Sequence, residues 1–402
     1  MITRRNLLFL LSSAGLTAGT PRIINAASQP EKSARLASST DNVLRLEDFG
    51  GVADGVTDNS VALNAALNAL KATNGGTIVF PNGITRLAGT ASVDLLGKQG
   101  AVCLAGSGGN SIVKVTAGTG IAIGVYNTSK VNVENLTFIG TVNESDQYNG
   151  DLLDCSQSVI FCAYVEQVTV RDCKFVGIAI SAPYGEPWNG YEPNKNHGIV
   201  SVTQGDLLVE RCYFGGCGTS QCGNVNVSSW NGLTIRDSQF IDYGYHNGQT
   251  VSKTGHVPNT AWVRAINPNP VTGARTRGKI RIERTSFDEG CNYGLFVNGA
   301  RWVEIDNLAM NNGIGPGIGI FNVTHTRIKD SFIGYINSNV ALYASNSKII
   351  ELDSMLLGGN VKFIQLDPGV SKLISRYSTL PGNSLYPNGI INRANAALEI
   401  IK

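Results

Sequence analysis

Leu233 to Phe240 reads L-T-I-R-D-S-Q-F, and the same pattern returns along the chain. It stands as V-N-V-E-N-L-T-F (Val131–Phe138), V-T-V-R-D-C-K-F (Val168–Phe175) and L-L-V-E-R-C-Y-F (Leu207–Phe214). It recurs as I-R-I-E-R-T-S-F (Ile280–Phe287), V-E-I-D-N-L-A-M (Val303–Met310) and T-R-I-K-D-S-F-I (Thr326–Ile333). The third position serves as anchor: Val133, Val170, Val209, Ile235, Ile282, Ile305 and Ile328, with weaker copies at Ile350 and Ile374. Successive anchors are 37, 39, 26, 47, 23, 23, 22 and 24 residues apart. A short basic period with three longer steps is the mark of a solenoid.

Apolar and polar residues alternate within each copy, as in a half-buried strand. A second short apolar strand precedes many anchors by ten residues, at Ile199, Val225, Leu295, Ile318 and Val340. Gly and Asn punctuate the gaps, and no helical period survives in the repeat zone. Such strands cannot each bury a face alone. Stacked on their equivalents in neighbouring coils they share one interior, which predicts an all-β chain wound as a parallel β-helix.

With 42% hydrophobic residues among 402, the chain can build a sizeable core as one repeat domain. The net charge of +2 leaves no electrostatic footprint for nucleic acid. No run of roughly eighteen apolar residues is present, so no membrane span is expected in the mature chain. The chain opens with Arg4-Arg5, an apolar run from Leu7 to Leu11, and Ile24-Asn25-Ala26. A charged start, apolar middle and small-residue end define an export signal over residues 1–26. The paired arginines resemble the twin-arginine signal of bacteria. A polar linker, 27–43, follows, and the expected location is periplasmic or extracellular.

Cys173 and Cys212 occupy the same place in successive copies, where others carry Leu136, Ser238 or Thr285. They are expected to stack inside as small buried side chains. Cysteine and histidine spacings give no metal site.

Residues 44–90 read differently. Leu46-Glu47-Asp48-Phe49-Gly50 leads to Asp54-Gly55-Val56-Thr57-Asp58, and then Leu63, Leu67 and Leu70 mark one face of a helix over Val61–Ala72. Thr57 or Asp58 can cap it. Asn74-Gly75-Gly76 ends it, and Thr77-Ile78-Val79-Phe80-Pro81 is a strand. A solenoid end exposes core and strand edges, so this helix is read as an N-terminal cap, with the β-helix proper over 91–402.

The string D-F-G-x-x-x-D-G-x-T-D, a helix, and G-G-T-I-V-F-P-N-G resembles the opening module of the pectate lyase superfamily. The likeness is close over this module and architectural beyond it. It implies a right-handed parallel β-helix acting on acidic or neutral polysaccharide. It also implies that Asp48, Asp54 and Asp58 are structural.

Insertions say where a groove would lie. The long steps place extra residues at 141–154, 181–196 and 246–278, and long loops on a regular scaffold carry function. Trp188 and Tyr191 can stack on sugar rings, and Glu192 and Lys195 can meet hydroxyls or charge. On the strands, alternation points Asn226, Trp262, Arg264 and Phe296 outward. Apart from Arg264, these seven are the expected substrate contacts; Arg264 is a catalytic candidate because a guanidinium can hold a uronate carboxylate or developing negative charge. His197 is a candidate acid or base. Glu186, Asp242 and Asp288 are candidate carboxyls, the last two following Phe240 and Phe287 in neighbouring coils.

The polygalacturonase and alginate epimerase motifs are absent. Positions that would hold a calcium-binding Asp cluster carry Asn and Ser. No metal or other cofactor is expected, calcium being an option only for lyase chemistry. The composite expectation is an exported polysaccharide hydrolase or lyase, with hydrolase slightly ahead. A non-catalytic glycan-binding or envelope-scaffold β-helix is the alternative. Nothing in the sequence sets an oligomeric state.

Overall fold

The computed structural model describes residues 42–116, 119–140, 155–180, 198–219, 223–228, 231–241, 261–266, 278–288, 293–311, 315–336, 338–361, 363–380 and 389–401. Most of the described chain is strand, and each named strand pair is parallel. One turn of chain shows the plan. Gly223–Ser228 lies in ladder A, Gly232–Arg236 in ladder B and Gln239–Ile241 in ladder C. The next turn begins again in ladder A at Ala261–Ile266, paired with Gly223–Ser228. In ladder B, Val170, Val209, Ile235, Ile282, Ile305 and Ile328 stand in unbroken register. The repeat anchors therefore form one column of the core.

The two weakest anchors are corrected. Ile328 pairs with Leu352, and Leu352 with Ser375. Ile350 sits one inward position earlier, opposite Thr326, and Ile374 points outward beside Glu351. In I-I-E-L-D both Ile350 and Leu352 are apolar, so alternation alone leaves two registers open. Leu342, ten residues before Leu352, pairs with Ile318 and confirms the new alignment.

The last position of each copy builds a second column. Rings of Phe138, Phe175, Phe214 and Phe240 stack at centroid distances of 5.0, 4.6 and 4.6 Å, nearly parallel. Each such contact contributes about 0.5–1.5 kcal/mol beyond burial. Between ladders B and C the chain turns on left-handed residues: Asn135, Asp172, Arg211, Asp237, Arg284, Asn307, Asp330, Ser354 and Tyr377 all have φ between 44° and 57°. Asn and Asp tolerate this conformation best, which explains their frequency there. The following residue points inside. Cys173 and Cys212 are buried there as free thiols, as expected. Ser238 and Ser331 accept the backbone N–H of Cys212 and Leu308 from the turn before.

The helix Ser60–Ala72 buries Leu63, Leu67 and Leu70 at the start of the ladders. Asp58 Oδ1 accepts the Ser60 N–H at 3.1 Å and the Ala88 N–H at 2.9 Å, tying the helix to the strand end. Burial alone would raise this carboxyl, but the hydrogen bonds outweigh it and hold it low. Asp54 is held low by the Thr57 hydroxyl and neighbouring amides. Both carboxylates are thus occupied in shaping the cap. No helix among the described residues is long and apolar enough to cross a membrane.

Candidate functional site

Strand order fixes where the insertions meet the scaffold. Segments 141–154, 181–196 and 246–259 each fall between a ladder C strand and the next ladder A strand. Residues 267–277 fall between ladders A and B, after Ile266. Ladder A is therefore the sheet bracketed by insertions on both edges, and its outward face is the candidate site.

Register lays out that face one turn at a time. Gly124, Phe161, Ser201, Asn226, Arg264, Phe296, Gly319, Tyr343 and Gln365 follow one another across nine turns. A parallel outward row holds Tyr126, Ala163, Thr203, Ser228, Ile266, Asn298, Phe321 and Ser345. The centre is polar and closed to water. Arg264 is 8% exposed and Asn226 1%. Ser158, Ser201, Thr203 and Ser228 are buried around them, with Ser158 Oγ 3.3 Å from Ser201 Oγ and Thr203 Oγ1 3.1 Å from Ser228 Oγ. Neither the oxygen nor the nitrogen of the Asn226 amide has a hydrogen-bond partner. Each such buried atom costs about 1–3 kcal/mol, so folding alone disfavours this residue here. Gly198 and Gly223 pack tightly against this pair. A Cβ on Gly198 would come within 3.1 Å of the Asn226 Cβ, and one on Gly223 within 2.9 Å of the Arg264 Cβ.

Aromatic shelves flank the polar centre. The Tyr126 ring lies over Gly124 and meets Phe161 at 5.8 Å. On the other side Phe296 contacts Tyr293 at 5.3 Å and Phe321 at 5.1 Å, and the Tyr293 and Phe321 rings lie over Gly319. These form an apolar cluster separate from the main core, with Ala261 and Ile266. Burial raises the Tyr293 phenol and keeps it protonated. Beyond it, Tyr343 donates to Asp367 Oδ2 at 2.6 Å, and burial together with that carboxylate pushes its phenol up to about 12.

The expected site residues fall into three groups. Arg264, Asn226 and Phe296 lie on this face, adjacent in register but buried rather than lining an open groove floor. Trp262 does not. It is 1% exposed within the main core, 5.8 Å from Phe240. Strict alternation fails at this end of the strand: Ala261, opposite Tyr293, joins the outer apolar cluster while Trp262 turns into the main core. Asp288 ends a ladder C strand, half-buried, in register with Ile241 and Asn311 rather than with Asp242. His197, Glu186, Asp242, Trp188, Tyr191, Glu192 and Lys195 lie outside the described residues. Tyr126, Tyr293 and Tyr343 were not among the expected contacts. The signal for the first was an outward aromatic two residues from a glycine, as in Gly124-Val125-Tyr126 and again in Gly319-Ile320-Phe321.

From Ser158 to Tyr343, Arg264 is the sole charged side chain on this face among the described residues; Asp94 and the Asp367–Arg393 pair lie at its ends. Calcium takes several oxygen ligands, carboxylates foremost, and the described central part of this row supplies no carboxylate. Among the described residues no three His, Cys, Asp or Glu side chains gather as a metal site.

His325 sits on the strand Ile318–Lys329 in ladder B, stacked on Trp302 at 4.1 Å, with Nε2 3.3 Å from Glu351 Oε1. That ladder's outward face is otherwise a network of ion pairs. Buried Glu210 is met by Arg171 at 2.7 Å, Arg211 at 3.0 Å and Arg236. Burial would raise its carboxyl, but Arg211, Arg171 and Arg236 outweigh this and hold it low.

No family model matches the chain. A stretch of 276 residues, 64% of the chain, is 34% identical to mannuronan C5-epimerase AlgE5 of Azotobacter vinelandii, covering 24% of that protein. A stretch of 116 residues, 26% of the chain, is 36% identical to mannuronan C5-epimerase AlgE6 of the same organism, covering 13% of it. The chain thus spans about a quarter or less of the length of these relatives. Among solved structures, PfbA, a surface adhesin of Streptococcus pneumoniae, matches with a TM-score of 0.54 and 12% identity over 90% of this chain and 93% of that one. The Agl-KA catalytic domain matches with a TM-score of 0.53 and 14% identity over 90% of this chain and 69% of that one. The structural likenesses support the fold, and the sequence relatives are polysaccharide-acting proteins.

Proposed function

We propose that this chain is an exported right-handed parallel β-helix enzyme that modifies a uronate-containing polysaccharide on the outward face of ladder A. The observation that carries the reading is the Asn226–Arg264 pair: adjacent in register, buried, and including an amide with both polar atoms unpartnered. A guanidinium and a primary amide side by side suit a sugar carboxylate. The reaction is removal of the proton at C5. The electron pair moves into the carboxylate, where Arg264 stabilises the added charge. Return of a proton to the opposite face of C5 gives the epimer. Loss of the C4 oxygen substituent, which takes up a proton as it leaves, gives the unsaturated sugar. Tyr293, a partly buried phenol on this face beside Phe296, is the candidate proton donor. His197, Asp242, Asp288 and Glu186 remain the candidates for the base. The mannuronan C5-epimerase relatives support this class. Two-carboxyl hydrolysis gets less support, because the described central turns place no carboxylate on the face.

Incubation with a polyuronate in deuterated water tests the reading. Deuterium entering C5 reports proton removal, whichever product follows, and Arg264→Gln should abolish it. New reducing ends without C5 exchange would overturn the proposal in favour of hydrolysis. Tight binding with neither change would leave the protein a glycan-binding β-helix.

A further inference from the structure

The last turns of ladder C carry a surface that the chemistry on ladder A does not use. Strands Phe332–Gly334 and Leu356–Gly358 pair there, Phe332 beside Leu356 and Gly334 beside Gly358. Tyr335 follows the first strand and Gly359 the second. Three adjacent ring carbons of Tyr335 stand 2.8 to 3.0 Å from where a Cβ of Gly359 would be, so the ring lies face-on against the backbone. The tip of the Phe332 ring lies over Gly334 and Gly358, 2.7 and 2.6 Å from the corresponding positions. Two rings thus rest on adjacent glycines of one turn, and Tyr335 is still 56% exposed. Leu356, 47% exposed, is bridged to Thr379, and Tyr377, 68% exposed, shortly precedes that threonine.

Neither burial nor backbone preference accounts for the two tyrosines. Gly177, Gly216 and Gly359 hold the turn that leaves ladder C, with φ of 61°, 60° and 61°, and Tyr335 holds the same place at φ 55°. Tyr377, at φ 50°, occupies the turn into ladder C where Asp172, Asp237 and Asp330 stand elsewhere. A bulky side chain is disfavoured in this left-handed conformation, and Gly, Asn or Asp relieves it. What the tyrosines add is exposed ring. Such faces meet the apolar face of a sugar, and the phenol oxygens can bond its hydroxyls. The exposed area of Tyr335, Tyr377 and Leu356 is on the order of 300 Å². That is well short of the roughly 800 Å² per partner in a stable protein interface, and it suits a few sugars.

We infer that the last turns of ladder C form a secondary glycan-binding surface, on which a flat, neutral, β-linked hexose chain stacks against Tyr335, Phe332 and Tyr377. This surface is separate from the uronate chemistry proposed at ladder A and does not depend on it.

The test is affinity electrophoresis of the full chain in native gels containing glucomannan, with dextran, whose α-linked chain presents no flat face, as control. Glucomannan should retard the wild-type protein and dextran should not. Tyr335→Gly and Tyr377→Asn should each weaken glucomannan binding about tenfold, the effect of losing one stacked ring. Their melting temperatures should be unchanged or higher, and their C5 exchange on a polyuronate unchanged. Arg264→Gln should be retarded like wild type. No retardation of the wild type, or full retardation of both variants, would overturn the inference. So would a fall in melting temperature in both variants, which would make the rings shields for the glycines. Loss of retardation in Arg264→Gln would put glucomannan on ladder A instead. A wild-type dimer in sedimentation that either variant breaks, without retardation, would make the face a contact between copies.

Discussion

Ladders A and B come from the same repeat, and both turn alternate residues outward, yet their outer faces are opposites. Ladder B answers charge with charge. Glu210 gathers three arginines, Lys279 reaches Glu304 at 2.8 Å, and Arg284 clasps Asp237 at 2.6 Å. Ladder A buries a guanidinium among serines and rings, and leaves the Asn226 amide without partners. Ladder B also leaves single buried atoms without partners, Arg236 Nε and Trp302 Nε1 among them, whereas at Asn226 both polar atoms of one amide lack them, at a cost of about 1–3 kcal/mol per atom that a ligand would offset.

The contrast can be broken in several ways. The largest effect is expected at Arg264. Arg264→Gln should lower C5 exchange by about a hundredfold to a thousandfold, the usual loss for a group that stabilises developing charge. Glu210→Gln should leave exchange unchanged, and steady-state rates on both variants check the pair. Next comes Asn226→Val, which removes the unpartnered amide. It should raise stability by about 1–2 kcal/mol in denaturant titration while lowering activity. A variant that is both destabilised and fully active would place Asn226 among ordinary structural residues.

Glu210→Gln itself should cost about 1 kcal/mol, since its arginines are partly exposed and screened. The pH dependence has a definite sign. The folded carboxyl titrates below its ordinary value of 4.5, so its contribution is present above that pH and is lost as pH falls through the folded value. Melting curves of wild type and Glu210→Gln should therefore converge in acid. The smallest effect belongs to exposed pairs such as Lys372–Glu399. Lys372→Ala should change stability by no more than about 0.5 kcal/mol, and less at high salt.

Much of this architecture was legible in the chain. The third-position anchors and the closing aromatics gave the core columns, because inward positions repeat with each turn. Legibility failed where the local pattern admits two answers. Ile350 and Leu352 are both apolar, so the register slipped by two residues. Trp262 follows an insertion, and the strand's first residues turn before alternation settles. Arg264 and Asn226 were legible as outward, but not as buried. Burial on the outer face depends on chain remote in sequence, which a period of one turn does not encode. The flanking rings show why spacing alone falls short: an outward aromatic signals a shelf only when a glycine on the same face lies beneath it.

The most direct test is a crystal structure with an acidic oligosaccharide bound. The account predicts the sugar along the outward face of ladder A, with its carboxylate on Arg264 and the Asn226 amide. A sugar bound instead on the charged face of ladder B, or one that leaves Arg264 and Asn226 untouched, would contradict it.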